Sequence, residues 1–469
     1  MPGSKRTSDS KEIGEKKLGD KIYRYVSKRM QVTKTPAMSI SLFSGNRMVY
    51  SRGFGNRDMA GLLPADEKTL YGVGSVTKSF TALAILQLME KGLLDVHDRI
   101  SRFLPEFGSD SPLGDVEIFH LLNHTSGLPT LNVAEITLMR EFGDDTSFIP
   151  LAGYGDFVDI ILSSADERVA PPGKKFLYWN EGYTILGRII EKLSGASYID
   201  CIRKQILGPL EMRRSGFGQE AMGIDGNAAT LYKYSEDGKH KQALLRSQTS
   251  DVAAGGLVSS TEELCNYLRF MISGGTYKGR SLISHKLLNE ATTRGVKAGE
   301  DSQFGSPVYG YGWMIADNFF GHRLVSHSGD VGISSSYVGF IPDLDIGVAV
   351  ASNIGDGPNS NVGVYALATL AGVDADSALD YVAVQNMSDE LIGVYSDFRG
   401  YTTLTVSAWG PGYLKGEYRS NEMTFSMPLM FDRRSLYTIS NYSRTPVDWR
   451  VLPDGRKELL LERHRFVKK

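Results

Sequence analysis

The sequence is poor in cysteine: among 469 residues there are two, Cys201 and Cys265. They form no CxxC pair, so neither a disulfide framework nor a zinc finger is expected. There is no excess of charge of either sign. Lys plus Arg number 52 against 54 Asp plus Glu, which leaves no basic footprint for a nucleic-acid partner. Apolar runs long enough to span a bilayer, about 18 residues, are missing, so no membrane partner is expected. Several familiar catalytic signatures are missing too. Without G-x-S-x-G there is no α/β-hydrolase elbow, and without G-x-x-x-x-G-K-[ST] no phosphate loop. H-E-x-x-H and other clustered histidine–carboxylate sets do not occur, so no metal and no cofactor is expected.

What is present suits an ordered globular chain. Hydrophobic residues make up 41% and charged residues 23%, which argues against global disorder. One core stops growing at roughly 250–300 residues, so at least two packed units are expected. Residues 1–17 alternate charged and polar groups with no apolar core of a secretory leader. They read as a disordered tail on a cytoplasmic protein.

Leu18, Ile22, Val26 and Met30 recur every four residues and predict an amphipathic helix. Residues 37–43 and 47–54 flank Ser44-Gly45-Asn46 as a hairpin. An apolar helix follows over 75–91, with Gly92 ending it. The stretch 95–300 reads as helices and loops, and Ser260 with Glu263 forms a capping box. Strand-like runs return at 311–316, 337–341 and 346–352. This order predicts an α+β domain over 18–371: an antiparallel sheet flanked by helices, with an all-helical subdomain inserted. Residues 372–388 are small and polar, and read as a linker. From 389 to 469, short β-rich runs are broken by turns such as Gly410-Pro411-Gly412 and predict a small antiparallel barrel.

Three constellations could carry chemistry. In Ser75-Val76-Thr77-Lys78 the serine and lysine lie one helical turn apart on one face. A lysine amine there could activate the serine hydroxyl. Ser8-Asp9-Ser10-Lys11 has the same spacing, so context decides. Ser75 follows Gly72 and Gly74 and precedes a buried-type helix, whereas Ser8 lies in the charged tail. Tyr178-Trp179-Asn180 offers a phenol for proton relay and an amide that both donates and accepts. His327-Ser328-Gly329, followed by Asp330, places a histidine beside glycine near a strand edge.

Taken together and in this order, the three resemble the active-site elements of penicillin-recognising serine hydrolases. The class C β-lactamase-like subgroup, with its DD-peptidases, D-aminopeptidases and esterases, is the most similar. The stretches from His120 to Leu128, Pro171-Pro172-Gly173 and Ala254-Gly255-Gly256-Leu257 match its habits. The resemblance covers about 20–370 and implies the β-lactamase/transpeptidase-like fold. It implies Ser75 as nucleophile, with Lys78 and Tyr178 sharing the proton transfers. Asn180, His327, Gly329 and Asp330 become substrate-binding positions, the Asp330 N–H completing an oxyanion hole with that of Ser75.

Leu391-Ile392-Gly393-Val394-Tyr395 resembles the opening strand of an appended lipocalin-like barrel, as in archaeal self-compartmentalising serine peptidases acting on D-residues. A homo-oligomer is a further expectation. One departure is that His327 stands where β-lactamases and many DD-peptidases carry lysine. A largely neutral histidine binds a substrate carboxylate less firmly. The resemblance therefore implies an acyl-enzyme peptidase on short peptides, including D-residue peptides. A carboxylesterase or weak β-lactamase is the alternative within the class, and an acylated, non-hydrolytic sensor or binding module is the alternative outside it.

Overall fold

The structure is a computed structural model that describes residues 4–143, 148–234, 238–245, 252–410, 413–432, 434–439 and 443–469. The chain separates into two compact units, Met1–Ala371 and Gly372–Lys469.

The first unit opens with helix α1 (Ser4–Thr33). Ile22, Val26 and Met30 are buried, as the four-residue repeat requires. The helix also runs through the stretch expected to be a disordered tail, from Ser4 onward. Once a buried turn is nucleated, each further residue adds a hydrogen bond at little cost. Glu15 pairs with Arg47, which holds part of that extension. Strands β1 (Ala37–Ser44) and β2 (Arg47–Asp58) form the hairpin. Gly45 takes the left-handed conformation, φ 58°, that such tight turns need.

Helix α2 (Thr77–Glu90) is buried along nearly its whole length. A helix that is apolar on all sides belongs inside a core. Gly92 follows it at φ 72°. Helices α3 (Val133–Glu141), α4 (Asn180–Ser194) and α5 (Thr261–Ile272) lie in the inserted region. Only half of the expected capping box forms at α5. Ser260 Oγ accepts from Glu263 N at 3.2 Å. The Glu263 carboxylate instead binds Arg214 N, Ser215 N and Ser215 Oγ. A partly buried carboxylate takes the donors that most need an acceptor.

The chain returns to the sheet with β3 (Met314–Phe319), β4 (His322–Asp330), β5 (Ser335–Ile341) and β6 (Ile346–Ser352). Helix α6 (Asn359–Leu370) then packs against β5 and β6. The described residues form a nine-stranded sheet. Its order is Val296–Lys297, Val308–Tyr309, β3, β4, β5, β6, β1, β2, Leu63–Pro64. Every neighbouring pair is antiparallel. Strands β5 and β6 are buried at every residue, because helices cover both faces. On one side α5 crosses β1, β5 and β6. Elsewhere α1 packs on α6, with the Tyr25 and Tyr365 rings stacked at 4.0 Å. The expected antiparallel sheet flanked by helices is therefore what forms, but the insertion is not all-helical: Leu257–Ser259 pairs with Tyr71–Gly72 and Gly216–Phe217, and Leu231–Tyr234 pairs with His240–Ala243.

In the second unit, the stretch expected as a linker is helical over Ala375–Ala378 and Asp380–Leu391. Ala375, Leu379 and Val382 recur at helical spacing and are buried, a stripe masked by the small polar residues between them. Among the described residues, eight antiparallel strands from Gly393–Ser396 to His464–Lys468 then close into a barrel. Closure is made by Tyr395 pairing with Lys468 and Ser396 with Val467. Inward Leu404, Val406, Leu414, Leu429, Leu459 and Phe466 fill it. Positions 411 and 412 of the expected Gly-Pro-Gly turn lie outside the described residues. Among the described residues, no helix is long and apolar enough to cross a membrane.

Candidate active site

Ser75 lies in a single 3-10 turn, Gly74–Val76, that runs straight into α2. The turn is pinned from inside: Thr77 Oγ1 donates to Gly74 O at 2.7 Å and accepts from Leu257 N at 3.1 Å. One helical turn later comes Lys78, with 0% of its surface exposed. Its Nζ lies 3.0 Å from Ser75 Oγ, 2.8 Å from Asn180 Oδ1 and 2.8 Å from Ala254 O. An ammonium has three protons to donate, and this arrangement aims them at three fixed oxygens, the serine among them.

Asn180 begins α4, immediately after Tyr178 and Trp179. The Tyr178 phenol stands near enough to the Ser75 hydroxyl for that hydroxyl to favour its ionised form. Although 36% of the residue's surface is exposed, protein surrounds its hydroxyl end. That burial pushes the phenol well above its ordinary acidity range, against the opposing effect of Ser75. Lys78 Nζ sits 4.9 Å from the centre of the Tyr178 ring.

On the opposite wall is the end of β4. Strand β3 pairs with β4 only as far as Ser326, whereas β5 pairs with it through Asp330. From His327 onward one edge of β4 is therefore left to the serine turn. Two glycines permit the contact. Gly74 takes φ 54°, and a Cβ on it would stand 2.5 Å from Asp330 N. A Cβ on Gly329 would stand 1.9 Å from Val73 O and 2.9 Å from Ser75 N. The backbone nitrogens of Ser75 and Asp330 thus lie side by side. The Asp330 carboxylate turns away, accepting from Gly332 N and Asp356 N, both at 2.6 Å.

His327 is buried. Its Nδ1 lies 2.5 Å from Ser328 O, and its Nε2 lies 2.9 Å from Tyr309 Oη. A carbonyl only accepts, so Nδ1 carries the proton and Nε2 accepts from the Tyr309 hydroxyl. Burial, reinforced by Lys78, pushes the His327 pKa down to about 3. The ring is neutral across the physiological range. The structure thus brings Ser75, Lys78, Tyr178, Asn180, His327, Gly329 and Asp330 into one cleft.

Residues to which the sequence reading gave no role complete it. Ala254, in the quoted Ala-Gly-Gly-Leu stretch, supplies a carbonyl to Lys78. Tyr309 supplies the donor to His327. The stretch His124-Thr125-Ser126-Gly127 runs beside the loop that leads into Tyr178. Val169 N, Gly173 N and Leu177 N bond to the carbonyls of Gly127, Thr125 and His124. The only signal for these residues lay in their two quoted stretches and, for Tyr309, in none. Among the described residues no group of three or more His, Cys, Asp or Glu could hold a metal ion.

Residues 22–372 match the family model described as Beta-lactamase. The chain belongs to the beta-lactamase family. This family chain is 28% identical over 295 residues to "Penicillin-binding protein 4*" of Bacillus subtilis (strain 168), a match covering 61% of each. "Protein flp" of Staphylococcus aureus (strain NCTC 8325 / PS 47) is 28% identical over 341 residues, 69% of this chain and 61% of that protein. The chain thus spans about three fifths of the length of these curated relatives. The solved octameric penicillin-binding protein homologue from Pyrococcus abyssi is 33% identical, with a TM-score of 0.86. That match covers 96% of this chain and 99% of the other. A class C beta-lactamase at 19% identity and TM-score 0.62, over 76% of this chain and 97% of that one, shares the fold.

Proposed function

We propose that the protein is a serine hydrolase that works through an acyl-enzyme on short peptides, including peptides with D-residues. The observation that carries this reading is the 3.0 Å contact between Lys78 Nζ and Ser75 Oγ inside a buried, three-way lysine site. Ser75 Oγ attacks the scissile carbonyl carbon as its proton passes to the Lys78–Tyr178 pair, which accepts it in the state where Lys78 is the uncharged amine or Tyr178 the phenolate. The carbonyl oxygen becomes an oxyanion held by the N–H groups of Ser75 and Asp330, each such donor being worth roughly 10²–10³ in rate. The C–N bond breaks as the pair returns the proton to the leaving amine. Water then attacks the Ser75 ester, gives its proton to the pair, and releases the acid and the serine. Asn180 orients Lys78 and the substrate amide.

Neutral His327 decides between substrates. It accepts from Tyr309 and offers no positive charge to a free carboxylate. Aminoacyl amides and esters, which carry no carboxylate next to the scissile bond, therefore fit better than β-lactams. The resemblance of the three motifs to those of D-aminopeptidases supports D-residues, and the same observation on His327 favours a carboxylesterase as the second reading. Hydrolysis of matched L- and D-aminoacyl amides, a short ester and a cephalosporin separates them. Turnover of the D-aminoacyl amide above its L-counterpart is expected. Labelling by a fluorescent phosphonate without any turnover would instead identify an acylated sensor. Assembly into a homo-oligomer belongs to the same proposal, supported by the homologue described as octameric, and light scattering of the full chain tests it.

A further inference from the structure

Behind Tyr178 lies a residue that this chemistry does not use. His124 is buried and left-handed, φ 60°, a backbone state uncommon outside glycine but one that histidine, asparagine and aspartate adopt more readily than other side chains. From there it makes two bonds to the segment carrying Tyr178. Leu177 N–H donates to the His124 carbonyl at 2.8 Å, and Trp179 N–H donates to its Nδ1 at 2.9 Å. One residue therefore fixes the backbone on both sides of the tyrosine. The same imidazole lies 4.2 Å from the Tyr178 ring, with the planes 33° apart.

The bond at Nδ1 also sets the tautomer. A nitrogen that accepts carries no proton, so the proton of the neutral ring is on Nε2. That Nε2 is buried and has no hydrogen-bond partner. Around it stand the rings of Tyr183 and Tyr309, at 5.2 and 4.6 Å from the imidazole. Burial, then Lys78 and His327, hold the ring's pKa well below its ordinary value, so Lys78 is not opposed by a second cation. A left-handed backbone and an unpaired buried donor are both costs. An asparagine would meet the backbone demand, and a phenylalanine would fill the space. The histidine alone offers an acceptor for Trp179 N–H together with a flat ring against Tyr178.

We propose that His124 is the positioning residue for Tyr178, aiming the phenol at Ser75 through these two backbone bonds and the ring contact. The inference rests on Tyr178 as a proton carrier, as read above. Since His124 acts through Tyr178, its loss should appear in kcat and not in KM. A double-mutant cycle on the full chain with a small p-nitrophenyl ester tests this. His124→Phe keeps a ring but strands the Trp179 N–H. It should lower kcat about 10- to 100-fold with KM within about twofold, the range for displacing a proton carrier. In a Tyr178→Phe background the same change should cost less than about twofold, because coupled residues do not add. The fall in melting temperature should be the same in both backgrounds.

His124→Asn keeps an acceptor at the Nδ1 position and tolerates a left-handed backbone, so kcat should recover to within about fivefold of the parent. Should His124→Phe not fold, His124→Asn carries the test, since its smaller loss must vanish when Tyr178 is phenylalanine. Equal rate factors in both backgrounds, or an unaltered kcat in His124→Phe, would overturn the inference. A slow Tyr178→Phe with additive losses overturns it alone. A Tyr178→Phe that turns over like the parent overturns the proton role of Tyr178 and this inference together.

Discussion

Gly329 on the fourth strand and Val73 before the serine turn are packed so closely that a Cβ on the glycine would stand 1.9 Å from the valine carbonyl oxygen. No side-chain rotation relieves a backbone overlap of that size. Gly329→Ala must push the strand away from the turn, and Asp330 N moves with it. Losing one oxyanion donor costs about 10²–10³ in kcat, and that loss is expected here. Gly92→Ala is the matched control. Gly92 is left-handed, φ 72°, but nothing lies within 4 Å of an added Cβ. It should lower stability by about 1 kcal/mol and leave kcat alone. Measuring kcat and melting temperature for both variants separates approach from strain. Full turnover in Gly329→Ala would mean that the oxyanion donors are elsewhere.

The two S-x-x-K sites make a second comparison. Ser75→Ala should abolish turnover, since losing the nucleophile of a covalent mechanism costs roughly 10⁴–10⁶ in kcat. Ser8→Ala should change nothing. Intact-mass measurement after phosphonate treatment should find the adduct on the parent and on Ser8→Ala, and none on Ser75→Ala. Labelling of Ser75→Ala at the parental rate would remove Ser75 from the chemistry.

Much of this site can be read along the chain because its parts are local. Ser75 and Lys78 sit one turn apart, and Tyr178 and Asn180 two residues apart, so each pair stays together in the fold, while context and the resemblance, not spacing, single them out. Their partners are not local. Ala254 O reaches Lys78 across 176 positions, and His124 reaches Trp179 across 55. Neither residue type announces such a contact. Tyr309 is one of 23 tyrosines, and only sheet pairing brings it to His327. The sheet and barrel were legible from alternation and turns. The helix over 4–17 was not, because its sequence is nearly all charged and polar, and those over 375–391 were not, because their polar residues outnumber the buried stripe of Ala375, Leu379 and Val382. Glu263 shows the same limit: its capping position is local, but Ser215, which it binds instead, is 48 positions away.

His327 provides a pH test. Its ordinary pKa of 6.5 falls to about 3 in the fold, chiefly through burial. A lowered histidine pKa means that the unfolded chain binds the proton more readily. The stability tied to the neutral ring is therefore complete above about pH 6.5 and is lost as pH falls toward 3. His327→Gln removes this titration, so its melting temperature should decline less steeply than the parent's between pH 7 and pH 4. Parallel curves would mean that the ring is not held neutral. Between pH 5 and pH 8 the kcat/KM profile of the parent should show no inflection from this residue.

Glu181 predicts the opposite slope. It follows Asn180 on the site helix, with 1% of its surface exposed. Its Oε1 accepts from Leu131 N and Val133 N, both at 3.1 Å, fastening the start of the helix Val133–Glu141. Oε2 is buried and has no hydrogen-bond partner. Burial raises the carboxyl pKa from 4.5 to about 7, with three backbone N–H groups, those of Glu181 itself, Val133 and Leu131, only partly opposing it. A raised pKa means that the folded state holds the proton more tightly than the unfolded one. This contribution is complete below about pH 4.5, falls as the pH rises, and is gone above about pH 7. At 1.36 kcal/mol per pKa unit the full swing is on the order of 3 kcal/mol. Glu181→Gln keeps a carbonyl oxygen for Leu131 and Val133 and never ionises. The gap in melting temperature between Glu181→Gln and the parent should therefore widen in the variant's favour from pH 4.5 to pH 8. A gap that stays constant across that range would show that Glu181 does not change charge there.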